Sequence, residues 1–182
     1  MLDAIAQSLR RPRMNDRSRW NERYASKHGA PTPNERLAKY IHRLKPGLAL
    51  DLAAGLGQNA RLLKDHTVIL VDISDAAMER AKGLRVVADT QALPFDAGTF
   101  DAIVCTFYFD PRLEFASLLK SGGTLLFETY TTADVRYRPD FPAAFRFDRA
   151  QIPIVFRNLK MLLWEETDTG TRVVGTFIGS KP

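Results

Sequence analysis

The segment at residues 50–60, with the sequence LDLAAGLGQNA, constrains the fold more than any other part of the chain. Asp51 lies within an apolar run, and two closely spaced glycines, Gly55 and Gly57, follow it. Glycine has no Cβ, so the chain can turn sharply there and a ligand can approach the backbone closely. The pattern predicts a buried strand, a tight turn and a helix start, which is where α/β proteins bind nucleotide-type cofactors.

The chemistry of that cofactor depends on Asp51. In a dinucleotide-binding turn the glycines cradle a pyrophosphate at a helix N-terminus. The carboxylate of Asp51, four residues before Gly55, would place negative charge beside that anion. A carboxylate here instead favours a cationic ligand with amine and hydroxyl donors, such as S-adenosylmethionine with its sulfonium and α-amino groups.

The chain is of a size that folds as one domain. It has 182 residues, of which 45% are hydrophobic, enough for one core of ordinary size. Cys105 is the only cysteine, which excludes an intramolecular disulfide and cysteine-pair zinc sites. The histidines show no metal-ligand spacing, so no metal is expected. The single cysteine suits a reducing cytosol, and no apolar run approaches the roughly 18 residues that span a bilayer. We therefore expect a soluble, cytoplasmic protein and no membrane partner.

The net charge of +5 is concentrated near the N-terminus. The basic residues of this arm are Arg10, Arg11, Arg13, Arg17, Arg19 and Arg23. Such a cluster permits contact with nucleic acid or a membrane surface, and a solvated arm is the alternative. Nucleic acid is therefore not the favoured partner.

Short apolar runs alternate with amphipathic segments through the middle of the chain. Strands are predicted at residues 48–52, 68–72, 85–88, 100–105 and 123–130, and helices at 58–64, 75–82 and 112–120. Strand and helix in alternation indicate an α/β fold, a parallel sheet with helices on its faces. Two final strands, 159–166 and 172–180, are separated by too few residues for a crossover helix, so they form an antiparallel hairpin. Two further helices are predicted ahead of the sheet, at 20–27 and 35–44.

Carboxylates also follow the next two predicted strands. Asp72, about 20 residues after the end of the first strand, can accept hydrogen bonds from both ribose hydroxyls of an adenosine ligand; a helix-capping role is its alternative. Asp89 can accept from an adenine amino group beside the apolar wall at Leu93, and a surface turn is its alternative. Asp101, which begins a strand at the opposite edge, is predicted to be structural.

Taken in order, these motifs resemble those of class I S-adenosylmethionine-dependent methyltransferases over about residues 48–180. The matching segments are 51–57, 71–73, 88–89 with 92–95, 100–103 and 121–126. The chain has Ala53 where relatives often have glycine. The resemblance implies a Rossmann-like three-layer sandwich with a mostly parallel sheet of about seven strands and a C-terminal antiparallel hairpin. It also implies a single domain at 1–182, with a basic arm and lid helices at 1–45 and the core at 46–182.

A narrower resemblance concerns residues 20–25, 49–55 and 127–130. These segments are similar to small bacterial methyltransferases of the tellurite-resistance and thiopurine type. The resemblance implies a small, soft or anionic acceptor, such as an oxyanion or a thiol. An arsenite methyltransferase would be expected to need several cysteines.

The methyltransferase pattern assigns roles along the chain. Asp51 and the backbone at Gly55 and Gly57 are expected to hold the amino-acid end of the cofactor, Asp72 the ribose, and Ile73 and Leu93 the adenine faces. Tyr24 or Arg23 is expected to reach the carboxylate of the cofactor from a lid at residues 20–24, for which an ordinary amphipathic helix is the alternative. The full set of expected cofactor contacts is Tyr24, Asp51, Ala53, Gly55, Gly57, Asp72, Ile73, Asp89, Thr90, Leu93 and Cys105.

The acceptor is expected above residues 105–110, at the carboxyl edge of the sheet. The loop at 131–153, which mixes aromatic and cationic residues, is a candidate cover for an anionic or aromatic acceptor. Simple packing is the alternative for both segments. By position, Asp110 and Tyr130 are the candidates for a general base, and a soft nucleophile would need none.

The leading interpretation is an enzyme that transfers a methyl group to a small molecule. One alternative is methylation of RNA or protein, which the basic arm permits. Another is an NAD-dependent oxidoreductase that uses Gly55, Gly57 and Ala60 as a dinucleotide turn. The third is a catalytically silent module that binds the cofactor or a partner.

Overall fold

The computed structural model of the protein describes residues 16–26 and 32–182. The strands are β1 Gly47–Leu52, β2 His66–Asp72, β3 Leu84–Val87, β4 Phe100–Thr106, β5 Leu119–Tyr130, β6 Lys160–Asp168 and β7 Val173–Ser180. The α-helices are α1 Asp16–Ala25, α2 Glu35–Ala38, α3 Asp75–Arg80, α4 Phe115–Leu118 and α5 Ile152–Val155. Short 3-10 helices cover Ile41–Arg43, Asn59–Leu62, Thr132–Arg136, Ala143–Phe145 and Arg149–Gln151.

The seven strands of the described chain form one sheet in the order β3-β2-β1-β4-β5-β7-β6. Strands β1 to β5 run parallel, and β7 runs antiparallel to both of its neighbours. The predicted α/β fold, with a mostly parallel sheet and a C-terminal antiparallel hairpin, is confirmed. The direction of the strand order reverses between β1 and β4, and open α/β sheets bind ligands at the carboxyl ends of the strands at such a point.

Successive side chains of a strand point to opposite faces of the sheet. Apolar residues on each face pack against helices or loops of the chain. One face carries Leu50, Ile103 and Phe127, which pack with α4 and α5 and with Phe147. The opposite face carries Ala49, Ala102, Val104, Leu126 and Ile178, which pack with α2 and the 3-10 segments around it. The apolar runs of the sequence therefore build a three-layer arrangement.

Several predicted helices are wrong in length. The helix predicted at 58–64 is the 3-10 turn Asn59–Leu62, the one at 35–44 is split between α2 and Ile41–Arg43, and the one at 75–82 ends at Arg80. The helix predicted at 112–120 is reduced to α4, because Leu119 already pairs with Phe100 as part of β5. The pairing of β4 with β5 shifts register between Phe100 and the next pair, Ala102 with Thr124.

The N-terminal predictions are covered only in part. Helix α1 begins at Asp16, earlier than the predicted residue 20, and residue 27 lies outside the described chain. Arg10, Arg11 and Arg13 of the basic arm also lie outside it. Within 16–26 and 32–182, no helix has the length and apolar character needed to cross a bilayer.

Candidate active site

The turn after β1 has the backbone conformation that its glycines allow. Gly55 and Gly57 have φ values of +57° and +72°. A Cβ at Gly55 would lie 2.6 Å from the Oη atom of Tyr24, and a Cβ at Gly57 would lie 2.7 Å from Leu70 Cδ1. Gly55 therefore lets Tyr24 lie against the turn, while Gly57 lets the turn pack on β2.

Ala53 shares this left-handed conformation, with φ of +55°. A residue with a Cβ in this region costs roughly 1 to 2 kcal/mol relative to a right-handed conformation. The methyl group where relatives often have glycine is therefore accommodated with local strain. Ala53 lines a cleft of about 300 Å³ together with Ala54 and Gly55.

Asp72 links the ends of β1 and β2. Its carboxylate accepts a hydrogen bond of 2.8 Å from the backbone N–H of Gly55 and one of 2.9 Å from that of Ser74. The residue is only 6% exposed, and burial raises the pKa of the carboxyl group although both hydrogen bonds act to lower it. Ser74, not Asp72, caps helix α3 with its side chain. A carboxylate has about four acceptor positions, so Asp72, which lines the cleft, keeps capacity for further donors.

Asp51 is a buried carboxylate near the end of β1. It is 1% exposed, and within the described residues neither of its carboxylate oxygens has a hydrogen-bond partner. Burial and the nearby charge of Asp72 raise its pKa to about 7. An unpaired buried carboxylate is costly, so this atom group fits a ligand that brings a cation or N–H donors.

The predicted adenosine contacts mostly come together. Asp72, Ile73, Asp89 and Thr90 line the same cleft of about 300 Å³. Thr90 Oγ1 lies 2.6 Å from the hydroxyl oxygen of Tyr108. Asp89 Oδ1 also accepts from the backbone N–H of Gln91 at 2.9 Å, so the turn expected as its alternative role is present as well.

Four of the predicted cofactor contacts are not part of the described lining of this cleft. The lining does not include Asp51, Gly57, Leu93 or Cys105. Leu93 packs against the buried core of one sheet face. Cys105 donates from Sγ to the carbonyl oxygen of Tyr108 at 3.6 Å, and burial, followed by the charge of Asp51, raises the pKa of its thiol. Cys105 is therefore a fully buried side chain that packs within the protein and does not line the cleft.

Asp110 is engaged by neighbouring donors. Arg112 donates to it from Nε at 2.8 Å and from Nη2 at 2.5 Å, and Gln91 Nε2 donates at 3.1 Å. Gln91 and Arg112 also line the cleft, and the sequence pattern did not single them out. The arrangement fits Asp110 as an anchor for Arg112 near the expected adenine end better than as a base.

Tyr130 lies at the carboxyl end of β5 among aromatic and cationic groups. Its ring centroid is 4.7 Å from that of Phe107, and the guanidinium carbon of Arg138 lies 3.8 Å from it. Arg172 Nη1 donates to the Tyr130 hydroxyl at 3.2 Å. Phe107 has φ of +55°, a rare conformation for a bulky residue, and such strain concentrates at functional sites. Arg172 was missed, although the register of the predicted hairpin would have placed it near the end of β5.

The cleft of about 300 Å³ is the first of two chambers. A second chamber of about 310 Å³ adjoins it. Its described lining consists only of arginines and aromatic residues. The arginines are Arg19, Arg23 and Arg138, and the aromatic residues are Trp20, Phe107, Tyr108, Phe109, Tyr130, Phe141 and Phe145. Five of these residues also line the first chamber, so the two form one continuous cleft: Trp20, Arg23, Phe107, Tyr108 and Tyr130.

Helix α1 lies over the first chamber and is fastened to α3. Asn21 Oδ1 accepts from the hydroxyl of Ser74 at 2.7 Å, and Asn21 Nδ2 donates to Asp75 at 3.2 Å. Arg17 forms an ion pair of 2.6 Å with Asp75. Trp20 and Tyr24 stack on the cleft side, and burial raises the pKa of Tyr24 to about 12, with a smaller effect from Asp72. This placement fits the predicted lid.

No cluster of three or more metal-ligating His, Cys, Asp or Glu side chains occurs in the described ranges. The residues present instead fit an organic cofactor. The unpartnered carboxylate of Asp51 suits an amino group, Asp72 suits hydroxyl donors, and the positive-φ turn admits a ligand against the backbone.

The sequence of residues 50–127 matches a family model described as a methyltransferase domain. This match covers the end of β1, the glycine turn, strands β2 to β4, and β5 as far as Phe127. No curated protein matches the chain significantly.

Solved structures share the fold at low sequence identity. Geranyl diphosphate C-methyltransferase from Streptomyces coelicolor A3(2), solved with Mg²⁺, geranyl diphosphate and S-adenosyl-L-homocysteine, aligns with a TM-score of 0.71 and 13% identity over 94% of this chain and 99% of that one. A protein of Methanosarcina mazei described as a SAM-dependent methyltransferase aligns with a TM-score of 0.64 and 17% identity over 83% of this chain and 99% of that one. The [4+2]-cyclase SpnF aligns with a TM-score of 0.63 and 15% identity over 86% of this chain and 85% of that one.

These findings confirm the methyltransferase resemblance at the level of the domain and the fold, and they agree with the expected cofactor. The narrower resemblance to tellurite-resistance and thiopurine-type enzymes is not confirmed. Residues 50–127 match a methyltransferase domain, and the sheet to which they belong shares its fold with solved methyltransferase structures.

Proposed function

We propose that the protein transfers a methyl group from S-adenosylmethionine to a small-molecule acceptor. The observation that carries the proposal is the buried carboxylate of Asp51, just before the glycine turn, which has no hydrogen-bond partner among the described residues. A pyrophosphate would be repelled there, whereas an α-amino cation would be stabilised. The second carboxylate, Asp72, lines the first chamber. There it is suited to accept hydrogen bonds from the ribose hydroxyls.

When bound, the cofactor supplies an electrophilic methyl group: a lone pair of the acceptor forms the new bond to the methyl carbon, the carbon–sulfur bond breaks, and its electron pair stays on sulfur. The chain's own residues mainly align the partners and exclude water, and such alignment is worth up to about 7 to 11 kcal/mol in favourable systems. Helix α1, with Trp20 and Tyr24 on the cleft side, is suited to exclude water.

Tyr130 is better placed than Asp110 to handle an acceptor proton. Tyr130 lines both chambers, whereas Asp110 is held by Arg112 and Gln91. An acceptor that arrives as an anion has no proton to lose, and for a thiolate or an oxyanion the role of Tyr130 reduces to orientation through its hydroxyl group.

The alternatives find less support. The second chamber is a cleft of small-molecule size, which favours a small acceptor over RNA or protein. RNA binding that weakens steeply with salt and is lost on deletion of residues 1–15 would favour the RNA alternative. The [4+2]-cyclase SpnF has the same fold, so the fold alone does not determine the activity. A catalytically silent module is therefore the strongest competing interpretation.

The proposal is tested by thermal stabilisation with S-adenosylhomocysteine and with NAD at equal concentrations. A ligand that binds only the folded state raises the melting temperature as its concentration exceeds its dissociation constant. We expect stabilisation by S-adenosylhomocysteine alone. Stabilisation by NAD alone would replace the proposal with the oxidoreductase alternative. Methyl-labelled S-adenosylmethionine, incubated with thiols, selenite and tellurite, then tests the oxyanion and thiol classes.

A further inference from the structure

We propose that the second chamber binds a flat apolar or aromatic acceptor that carries a carboxylate or phosphate, and that Arg138 pairs with this anion. The inference rests on the proposed function, since it names the acceptor class of the same cleft. It begins from the composition of the chamber, whose described lining is entirely arginine and aromatic. Such a wall offers apolar faces and cationic donors, and its described residues include no carboxylate to hold a cationic acceptor.

Arg138 is held in position before any ligand arrives. Its Nε and Nη2 atoms donate to Asp134 at 2.8 Å and 2.5 Å, and Asp134 is fully buried. Its guanidinium carbon lies 3.8 Å from the ring centroid of Tyr130 and 4.4 Å from that of Phe141. A guanidinium fixed in this way loses little conformational freedom when it binds an anion.

One donor group of Arg138 is left over. Both hydrogen bonds to Asp134 use Nε and Nη2, and no hydrogen bond from Nη1 to another described residue is present. The side chain lines the second chamber and is 28% exposed. Arg138 can therefore keep its ion pair with Asp134 and still donate to a ligand carboxylate or phosphate.

The surroundings carry an excess of positive charge. Arg23, Arg146 and Arg172 form no ion pair with a carboxylate of the described chain. Arg146 is 8% exposed, its Nε atom has no hydrogen-bond partner there, and its guanidinium carbon lies 5.7 Å from the ring of Phe141. Unbalanced guanidinium charge of this kind attracts an anion and repels a cation.

Aromatic rings provide the rest of the binding surface. Phe141 and Phe145 have ring centroids 5.7 Å apart, and Phe109 is fixed by an edge-to-face contact of 5.2 Å with buried Phe147. Rings arranged at these angles suit a flat apolar ligand. Phe107 and Tyr130 line both chambers, so a ligand that fills the second chamber reaches the first.

The test is calorimetric titration of the full chain with 1-naphthoate, 1-naphthyl phosphate and 1-naphthylmethylammonium, each with and without saturating S-adenosylhomocysteine. The variant is Arg138→Lys, which keeps a positive charge for Asp134 but removes the planar fork. Its matched control is Arg43→Lys, an exposed arginine of the 3-10 turn Ile41–Arg43 on the other side of the sheet. Arg172→Gln, at an exposed residue, adds a variant with little risk to folding.

We expect one or both naphthyl anions to bind and the ammonium compound not to bind. The tighter anion identifies the carboxylate or the phosphate as the recognised group. Arg138→Lys should weaken anion binding by at least about tenfold, Arg172→Gln should weaken it, and Arg43→Lys should leave it unchanged. Tighter or equal binding of the ammonium compound, no binding of either anion, or equal affinities in the two lysine variants would overturn the inference.

The outcome separates from that of the proposed function. Binding of S-adenosylhomocysteine is measured in a separate titration of the same protein, and its absence would count against the methyltransferase proposal alone. Anion binding to the free protein, and its dependence on Arg138, would still decide the acceptor inference.

Discussion

The backbone N–H of Gly55 donates a hydrogen bond of 2.8 Å to the carboxylate of Asp72. This contact joins the turn after β1 to the end of β2, two segments that the chain separates by 17 residues. It fixes the carboxylate at the wall of the first chamber. The same contact therefore shapes the turn and presents the group proposed to bind the ribose.

Replacement of Asp72 tests that role. Asp72→Ala should weaken the binding of S-adenosylhomocysteine by roughly 1.5 to 3 kcal/mol, because hydrogen bonds to a charged acceptor contribute about that much. Asp96→Ala, at an exposed carboxylate, is the control and should bind normally. If calorimetry gave the two variants equal affinities for S-adenosylhomocysteine, Asp72 would not belong to the binding site.

Ala53 provides a test of backbone strain. Ala53→Gly should stabilise the protein by up to about 1 kcal/mol, because relief of the left-handed strain exceeds the entropy cost of glycine. Ala54→Gly, at a buried neighbour without positive φ, should be destabilising. Urea unfolding of both variants measures the difference, and a loss of stability in Ala53→Gly as large as that in Ala54→Gly would contradict the strain.

Asp51 should make the cofactor-free protein less stable as pH rises. Its pKa in the fold is raised from 3.8 to about 7, so between these values the folded state binds more protons than the unfolded state. The free energy of unfolding therefore falls across this window as pH increases, and above it the full loss remains. Asp51→Asn should remove this dependence and be the more stable protein at pH 8.

The check is urea unfolding of wild type and Asp51→Asn at several pH values from 4 to 8 without cofactor. Curves that run parallel over the whole range would show that Asp51 is not perturbed. Binding of S-adenosylhomocysteine to the wild type should strengthen as pH rises through about 7, since the ionised carboxylate attracts the amino cation.

The fastening of α1 predicts the kinetics of cofactor release. Asn21→Ala removes the contacts of Asn21 with Ser74 and Asp75, each worth about 0.5 to 1.5 kcal/mol. S-adenosylhomocysteine should then dissociate about tenfold faster. Stopped-flow fluorescence of Trp20, which lines both chambers, measures the rate. Glu22→Ala, an exposed neighbour on the same helix, serves as control, and equal rates in the two variants would argue against a lid.

Local patterns predicted the parts of the fold that depend on local chemistry. The glycine turn, the strands from β1 to β4 and the final hairpin follow from apolar runs, positive-φ residues and a short connection. Helix lengths did not follow, because tertiary contacts override them. Asn59 is buried, accepts from the N–H of Asn34 at 3.0 Å and donates to Thr106 at 3.0 Å, which holds the segment after the turn in a 3-10 conformation.

The candidate site was predictable to a similar extent. Tyr24, Ala53, Gly55, Asp72, Ile73, Asp89 and Thr90 converge on one chamber, as do Asp110 and Tyr130. The second chamber was not predictable as a unit, because Trp20, Phe107 and Phe141 belong to three distant segments. Its aromatic and cationic character was visible in the loop at 131–153, but its walls form only when that loop meets α1 and the end of β4.

Calorimetric titration of the wild-type protein with S-adenosylhomocysteine, with NAD run alongside, tests the central claim most directly. The account predicts saturable binding of one S-adenosylhomocysteine per chain and no binding of NAD. Binding of NAD without binding of S-adenosylhomocysteine would contradict it.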